Sequence, residues 1–302
     1  MSTSPNSLPL SNGPDAAHAA WAWVGTARAG ASPLVFDSPH SWRDWPEDGP
    51  AVKVPVQALW TGWDAWIDTL WAEAADGRAP VLAARFQRGY IDANRSRDDI
   101  DPGQLDGPWP EALNPSATCR RGMGLIRQLA LPGQPLYDAP LSVAEVRSRI
   151  ERYYDPYHSA LEGLIDAAVA GFGESLHIDC HSMKSVGNGM NVDAGQARPD
   201  MVVSNREGQT CDAWLLRWVV GHLRMQGYRV QANHPYRGAE LVRRHGQPER
   251  GRHSLQIEIN RALYMDEARF ERHAGYDRLR SDLGHLVRSL DEGLREPRPS
   301  LS

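Results

Sequence analysis

Cysteine is scarce in this sequence, and what there is does not pair. Cys119, Cys180 and Cys211 form no CxxC motif, and an odd count closes no disulfide framework. Both features predict a reducing compartment, the cytoplasm. No apolar run is long enough to span a bilayer, which argues against a helical membrane protein. The opening stretch, MSTSPNSLPLSNGPDAAHAA, lacks the basic start and apolar core of a secretory signal. Its Ser, Pro, Asn and Gly content predicts a flexible arm over residues 1–20. Excess charge is missing as well. The net charge is −5 with both signs mixed along the chain, so neither nucleic acid nor an anionic membrane is an expected partner. Neither an internal repeat nor a linker divides residues 21–302, which predicts one domain. The compact zinc motif HExxH is absent.

What remains is a chain of 302 residues, 41% hydrophobic, large enough to bury a sizeable core. Tryptophan is abundant, with eight of the 11 lying between Trp21 and Trp71. Several of these follow a helical stripe: Trp63, Trp66, Ile67, Leu70, Trp71 and Ala74 recur at helical spacing before Gly77, which predicts a helix opened by Asp64. Asp64 and Asp68 then share one helical face. Ser142 and Glu145 form a capping box for a helical region that Pro156 should kink or divide. Asp212 is placed to cap a further helix, and a last helix is expected from about Asp266 to Leu294. Between these lie strands: Leu34 to Phe36, the segment APVLAARF, Ser175 to Cys180, YRVQAN, and SLQIEINR. The last alternates Leu255, Ile257 and Ile259 against Gln256, Glu258 and Asn260. Strands interleaved with helices predict an α/β fold with helices on both faces of the sheet.

Polar groups gather where strands end, which is where α/β folds bind ligands. His40 follows the first strand, Asp64 opens the tryptophan-rich helix, and His181 ends the strand that carries HIDCHSMKS. A His, carboxylate, His set with one open position is the donor pattern of catalytic zinc. Each residue also has a plain structural reading: a hydrogen-bonded turn histidine, or an acid at a helix N-terminus. Glu258 stands in an otherwise apolar strand. On a half-exposed sheet it is a solvated residue; under cover it needs a reason, and a general base is one. Arginines cluster after strands, Arg85 to Arg97 and Arg237 to Arg244, where a guanidinium can fork onto a carboxylate. Trp42 can wall a pocket beside His40.

In order along the chain, SPHS with His40, the Asp64 of GWDAWIDTLW, RGYIDANR, DCHSM, RPDMVVSNREGQTCD, NHPYRGAELVRRHG and HSLQIEINRALYMDE resemble the N-formylglutamate amidohydrolase family over roughly residues 33–270. The resemblance implies an α/β fold of three layers, a mixed sheet flanked by helices, like that of the zinc carboxypeptidases and the phosphorylase/hydrolase-like proteins. It implies zinc-dependent hydrolysis of N-formyl-L-glutamate to formate and glutamate, a step of histidine breakdown. Carried over by position, it makes His40, Asp64 and His181 the ligands of one zinc or other divalent ion per chain. Glu258 becomes the general base, Arg88, Asn94, Arg95 and Arg243 face the substrate, and Asp179 fixes a ligand histidine. The chain departs from the family pattern at Trp42, at Val203-Ser204-Asn205 and at Ala239. The partner implied is a small acylated amino acid; the oligomeric state is not readable. Two rival readings stand beside this one: a hydrolase of another small amide or peptide, and a non-catalytic binder of small carboxylates on the same scaffold.

Overall fold

The computed structural model describes residues 20–189 and 191–296, leaving aside the side chain of Val56. The arm expected over residues 1–20 therefore lies, but for Ala20, outside the described residues. One seven-stranded sheet organises the rest. Its strands are β1 (Trp21–Val24), β2 (Leu34–Ser38), β3 (Val81–Ala84), β4 (Ser175–Met183), β5 (Met201–Ser204), β6 (Val230–Ala232) and β7 (Arg252–Asn260). Their order across the sheet is β1-β3-β2-β4-β7-β5-β6. The four central strands, β3, β2, β4 and β7, run parallel, so their C-terminal ends share one edge. β1 and β5 pair antiparallel at either side, which makes the sheet mixed.

Helices cover both faces. On one, Leu34, Phe36, Leu176, Ile178 and Cys180 pack with Trp71, Leu215 and Leu279 from helices α1 (Ile67–Ala75), α4 (Ala213–Met225) and α6 (Gly275–Arg295). On the other, Val35, Leu82 and Ala84 meet Tyr157, Leu161 and Ile165 of α3 (Asp155–Phe172), which continues from α2 (Val143–Arg149). The alternation of strand side chains thus feeds two cores. This is the three-layer arrangement expected. No helix among the described residues is long and apolar enough to cross a membrane.

Several local expectations need correcting. The tryptophan-rich helix starts at Ile67, not at Asp64. Trp66 is left-handed (φ 56°), and the chain before it is tied to the loop after β2: the Asp64 amide donates to the His40 carbonyl (3.0 Å) and Trp63 Nε1 to the Ser41 carbonyl (2.7 Å). Asp64 and Asp68 therefore share no helical face. The last helix starts at Gly275. Before it, the Asp266 carboxylate accepts from the amides of Ala268 (2.9 Å) and Arg269 (3.0 Å) and turns the chain into a two-stranded ribbon, Met265–Asp266 with Glu271–Arg272. The capping box is half made: Ser142 Oγ accepts from the Glu145 amide, while the Glu145 carboxylate is drawn to Arg149 and Tyr90. Ahead of Pro156 the helix loosens into a π turn, Ile150–Tyr154, because proline offers no amide to the preceding turn. Strands β1 and β5 had not been marked.

Candidate active site

Strand β4 splits its side chains by chemistry. Leu176, Ile178 and Cys180 enter one core, and His177, Asp179 and His181 take the opposite face. Parallel β7 lies in register, so Ser254 stands beside His177, Gln256 beside Asp179 and Glu258 beside His181. Asp37 of β2 stands on the other side of Asp179. A polar strip thus runs along the sheet beneath cover, and its far end opens at the C-terminal edge. At the buried end it is closed: His177 lies 2.7 Å from Ser254 Oγ and 2.8 Å from Asp37 Oδ1, and Tyr157 donates its hydroxyl proton to Asp37. That serine, histidine and aspartate are wholly buried and belong to the core.

At the open end, His40, Asp64 and His181 converge. Their nearest donor atoms lie within 4.8 Å of one another. His40 Nδ1 and His181 Nδ1 are 3.2 Å apart, and Asp64 Oδ2 is 3.0 Å from His181 Nδ1. The outward-turned atoms are all held. Asp64 Oδ1 accepts from Ser182 Oγ (3.0 Å) and Arg261 Nη2 (3.2 Å). His40 Nε2 lies 2.7 Å from Asp92 Oδ1, and His181 Nε2 lies 2.8 Å from Asp179 Oδ1. Two imidazoles backed by carboxylates, with the remaining nitrogens turned toward each other and a third oxygen, fit a divalent cation. The second histidine partner expected, Asp179, is in place.

Asp92 carries a second task. Its Oδ1 also accepts from the Asn94 amide (2.9 Å), and its Oδ2 accepts from Arg88 Nε (3.2 Å) and Nη2 (2.7 Å). Burial would lift this carboxyl, but Arg88 and His40 hold it well below the usual carboxylate range.

Glu258 is only 7% exposed, so the solvated-strand reading fails. Burial first, then the charges of Asp64 and Asp179, push its carboxyl up to about 7 against the pull of His181. Gln256 Nε2 donates to it at 2.9 Å. A carboxylate balanced near neutrality in a cleft suits proton transfer.

A cavity of about 350 Å³ opens on these groups, lined by His40, Asp64, His181 and Glu258 together with Arg88, Asn94 and Arg95. Arg95 is steadied by the carbonyls of Met123 and Asn94, both at 2.9 Å. The Asn94 side chain is committed: its Nδ2 donates to Asp179 Oδ2 (3.1 Å) and lies 2.9 Å from His181 Nε2, and its Oδ1 accepts from the Leu241 amide, which fixes the start of helix α5 (Glu240–His245) against the site. Arg243 is not brought in. It forks onto Glu240 at 2.6 and 2.7 Å, is half exposed and does not line the cavity. Trp42 does not wall the cavity either; Arg85 lies over its ring at 3.9 Å. Of the departures from the family pattern, Ala239 reaches the cavity, while Ser204 and Asn205 are tied to the carbonyls of Tyr236 and Cys211. Asp92, Ser182 and Arg261 are not singled out from the sequence, although they lie inside RGYIDANR, DCHSM and HSLQIEINRALYMDE.

The chain is similar to known proteins over most of its length. Residues 32–265 match the family of N-formylglutamate amidohydrolase. The chain is 30% identical to an N-formylglutamate deformylase of Pseudomonas aeruginosa over 80% of its own length and 85% of that protein's. It is also 30% identical to the corresponding enzyme of Pseudomonas putida, covering 79% and 84%. The crystal structure of an N-formylglutamate amidohydrolase from Ralstonia eutropha superposes with a TM-score of 0.83 at 40% identity, over 91% of this chain and 98% of that one. Match to the family over most of the length, with the expected polar groups gathered at one sheet edge, makes this chain a member of the N-formylglutamate amidohydrolase family.

Proposed function

We propose that the protein is a zinc-dependent deformylase that cleaves N-formyl-L-glutamate to formate and L-glutamate. One observation carries this reading: His40, Asp64 and His181 converge within 4.8 Å in the same cavity that Glu258 lines. A divalent cation in such a donor set acidifies water and polarises a carbonyl. Two imidazoles with one carboxylate favour zinc among the divalent ions.

Each step has a residue to perform it. Glu258 takes a proton from the attacking water and returns it to the amine nitrogen as the amide bond breaks. Arg88, whose Nε and Nη2 are held by Asp92, lines the cavity beside the triad and steadies the oxygen that gains charge. Arg95, braced by two carbonyls, orients a substrate carboxylate. Asn94 acts by fixing Asp179 and α5. Arg243 has no place in this scheme unless it leaves Glu240.

Three unpaired, buried cysteines suit a reducing cytoplasm. The products suit a step of histidine breakdown. The test is formate release. Purified protein incubated with N-formyl-L-glutamate should yield formate and glutamate in equal amounts, and a chelator should stop it. Activity on other small amides but none on N-formylglutamate overturns the substrate assignment; tight carboxylate binding without turnover of any amide makes the protein a binder.

A further inference from the structure

The cavity has a side lobe of about 110 Å³, and the two share Asp64, Arg88, Arg127 and Ser182. Cations dominate the side lobe, but most are already committed. Arg88 is paired with Asp92, Arg261 with Asp64 and Ser182, and Arg198 with Asp193 through two bonds of 2.7 and 2.8 Å.

Lys184 and Arg127 remain, and Arg127 is the one shared with the main cavity. Among the described residues it makes no ion pair, and its Nε is shut off from solvent without a hydrogen-bond partner. Leu125 and Ile126, both buried, anchor the chain just before it. Burial and the neighbouring Arg88 lower the affinity of its guanidinium for its proton, to about 9. Arg88 and Arg127 approach one spot: a Cβ built on Gly62 would stand 3.3 Å from Arg88 Cδ and 3.8 Å from Arg127 Nη2. A partly buried guanidinium with no carboxylate is costly in the free protein, and an anion supplied from outside lowers that cost.

We infer that Arg127 is a specificity-determining residue that takes the side-chain carboxylate of a dicarboxylic N-acyl amino acid in the side lobe. This rests on the deformylase reading for the identity of the substrate, and on the unpaired guanidinium for the anion. With Arg95 in the main lobe, the site then offers a second carboxylate position beside the triad. A lobe lined by so many cations suits the carboxylate end of a side chain. Arg127 thereby selects acidic over neutral side chains. The neutral analogue leaves it unpaired, and a site built to bond a polar group rejects the analogue that lacks it.

The experiment compares N-formyl-L-glutamate with N-formyl-L-glutamine, and separately the binding of L-glutamate with that of L-glutamine by calorimetry, on protein as purified. The parent protein should prefer the acid by about 10²-fold or more in kcat/KM. Arg127→Met should bring the ratio close to one, and Arg127→Lys should reduce it to an intermediate value because the charge stays and the fork is lost. Retention of the parent ratio in Arg127→Lys, or in a folded Arg127→Met, overturns the assignment. The calorimetric pair keeps the two readings apart. If no formate is released, the deformylase reading fails, and a loss of glutamate-over-glutamine preference in the variants still supports Arg127. Equal affinity of the parent for both amino acids overturns it.

Discussion

The Nδ1 atoms of His40 and His181 face each other 3.2 Å apart, while the Nε2 atom of each ring sits on a separate buried carboxylate. Asp92 favours a proton on His40 Nε2, and Asp179 favours one on His181 Nε2, where Asn94 Nδ2 also lies at 2.9 Å; with both protons on Nε2 the Nδ1 atoms are lone-pair donors aimed at one point with Asp64 Oδ2. Two lone pairs and an anionic oxygen so close repel one another unless a cation or a proton lies between them. Purified protein is therefore expected to carry about one divalent ion per chain. His181→Ala should lose most of it, measured by elemental analysis. Unchanged metal content in that variant removes His181 from the donor set.

The same geometry makes Asp92 a support for the donor set. Asp92→Asn keeps the shape but weakens the grip on both His40 and Arg88. Metal affinity should drop by about 10–100-fold, read by competition with a chromophoric chelator. An affinity equal to that of the parent means the Asp92–His40 contact, at 2.7 Å, does not tune the site.

Arg95 and Arg243 should part company. Arg95 lines the cavity on a backbone brace, so Arg95→Lys should lower kcat/KM by about tenfold or more through loss of a fork to a charged group. Arg243 is spent on Glu240 at an exposed position, and Arg243→Lys should stay within about threefold. Steady-state kinetics on both variants decides; the reverse order of effects places Arg243, not Arg95, at the substrate.

How much of this could be read from the sequence differs residue by residue. His181 and Glu258 were legible because each is a polar group in a strand whose alternate positions are apolar, and strand alternation depends only on local geometry. The three layers followed from the same periodicities. Asp64 was identified, but its setting was not: the stripe of tryptophans looks helical from Trp63 on, and only the left-handed Trp66 and the tie to His40 end that pattern. Asp92 and Arg127 sit in irregular chain, where a buried charge and a solvated one look alike. For Arg243 the competitor is in view in the sequence, since Glu240 lies three residues earlier on a helical turn.

The central claim concerns Glu258, and Glu258→Gln tests it most directly. A base works when deprotonated, so kcat/KM of the parent should rise with pH along a limb at or below about 7, the lower side being favoured by any cation in the triad. In Glu258→Gln that limb should vanish, metal content should stay at the parent level, and turnover of N-formyl-L-glutamate should fall by about 10² or more with much less change in affinity. The deciding measurement is the rate of formate release by this variant at saturating substrate, taken alongside its metal content. A loss of about 10² with metal retained is the predicted result. Near-normal turnover, or loss of the metal, contradicts the account: the first leaves Glu258 a buried strand residue without a catalytic role, and the second makes it a ligand.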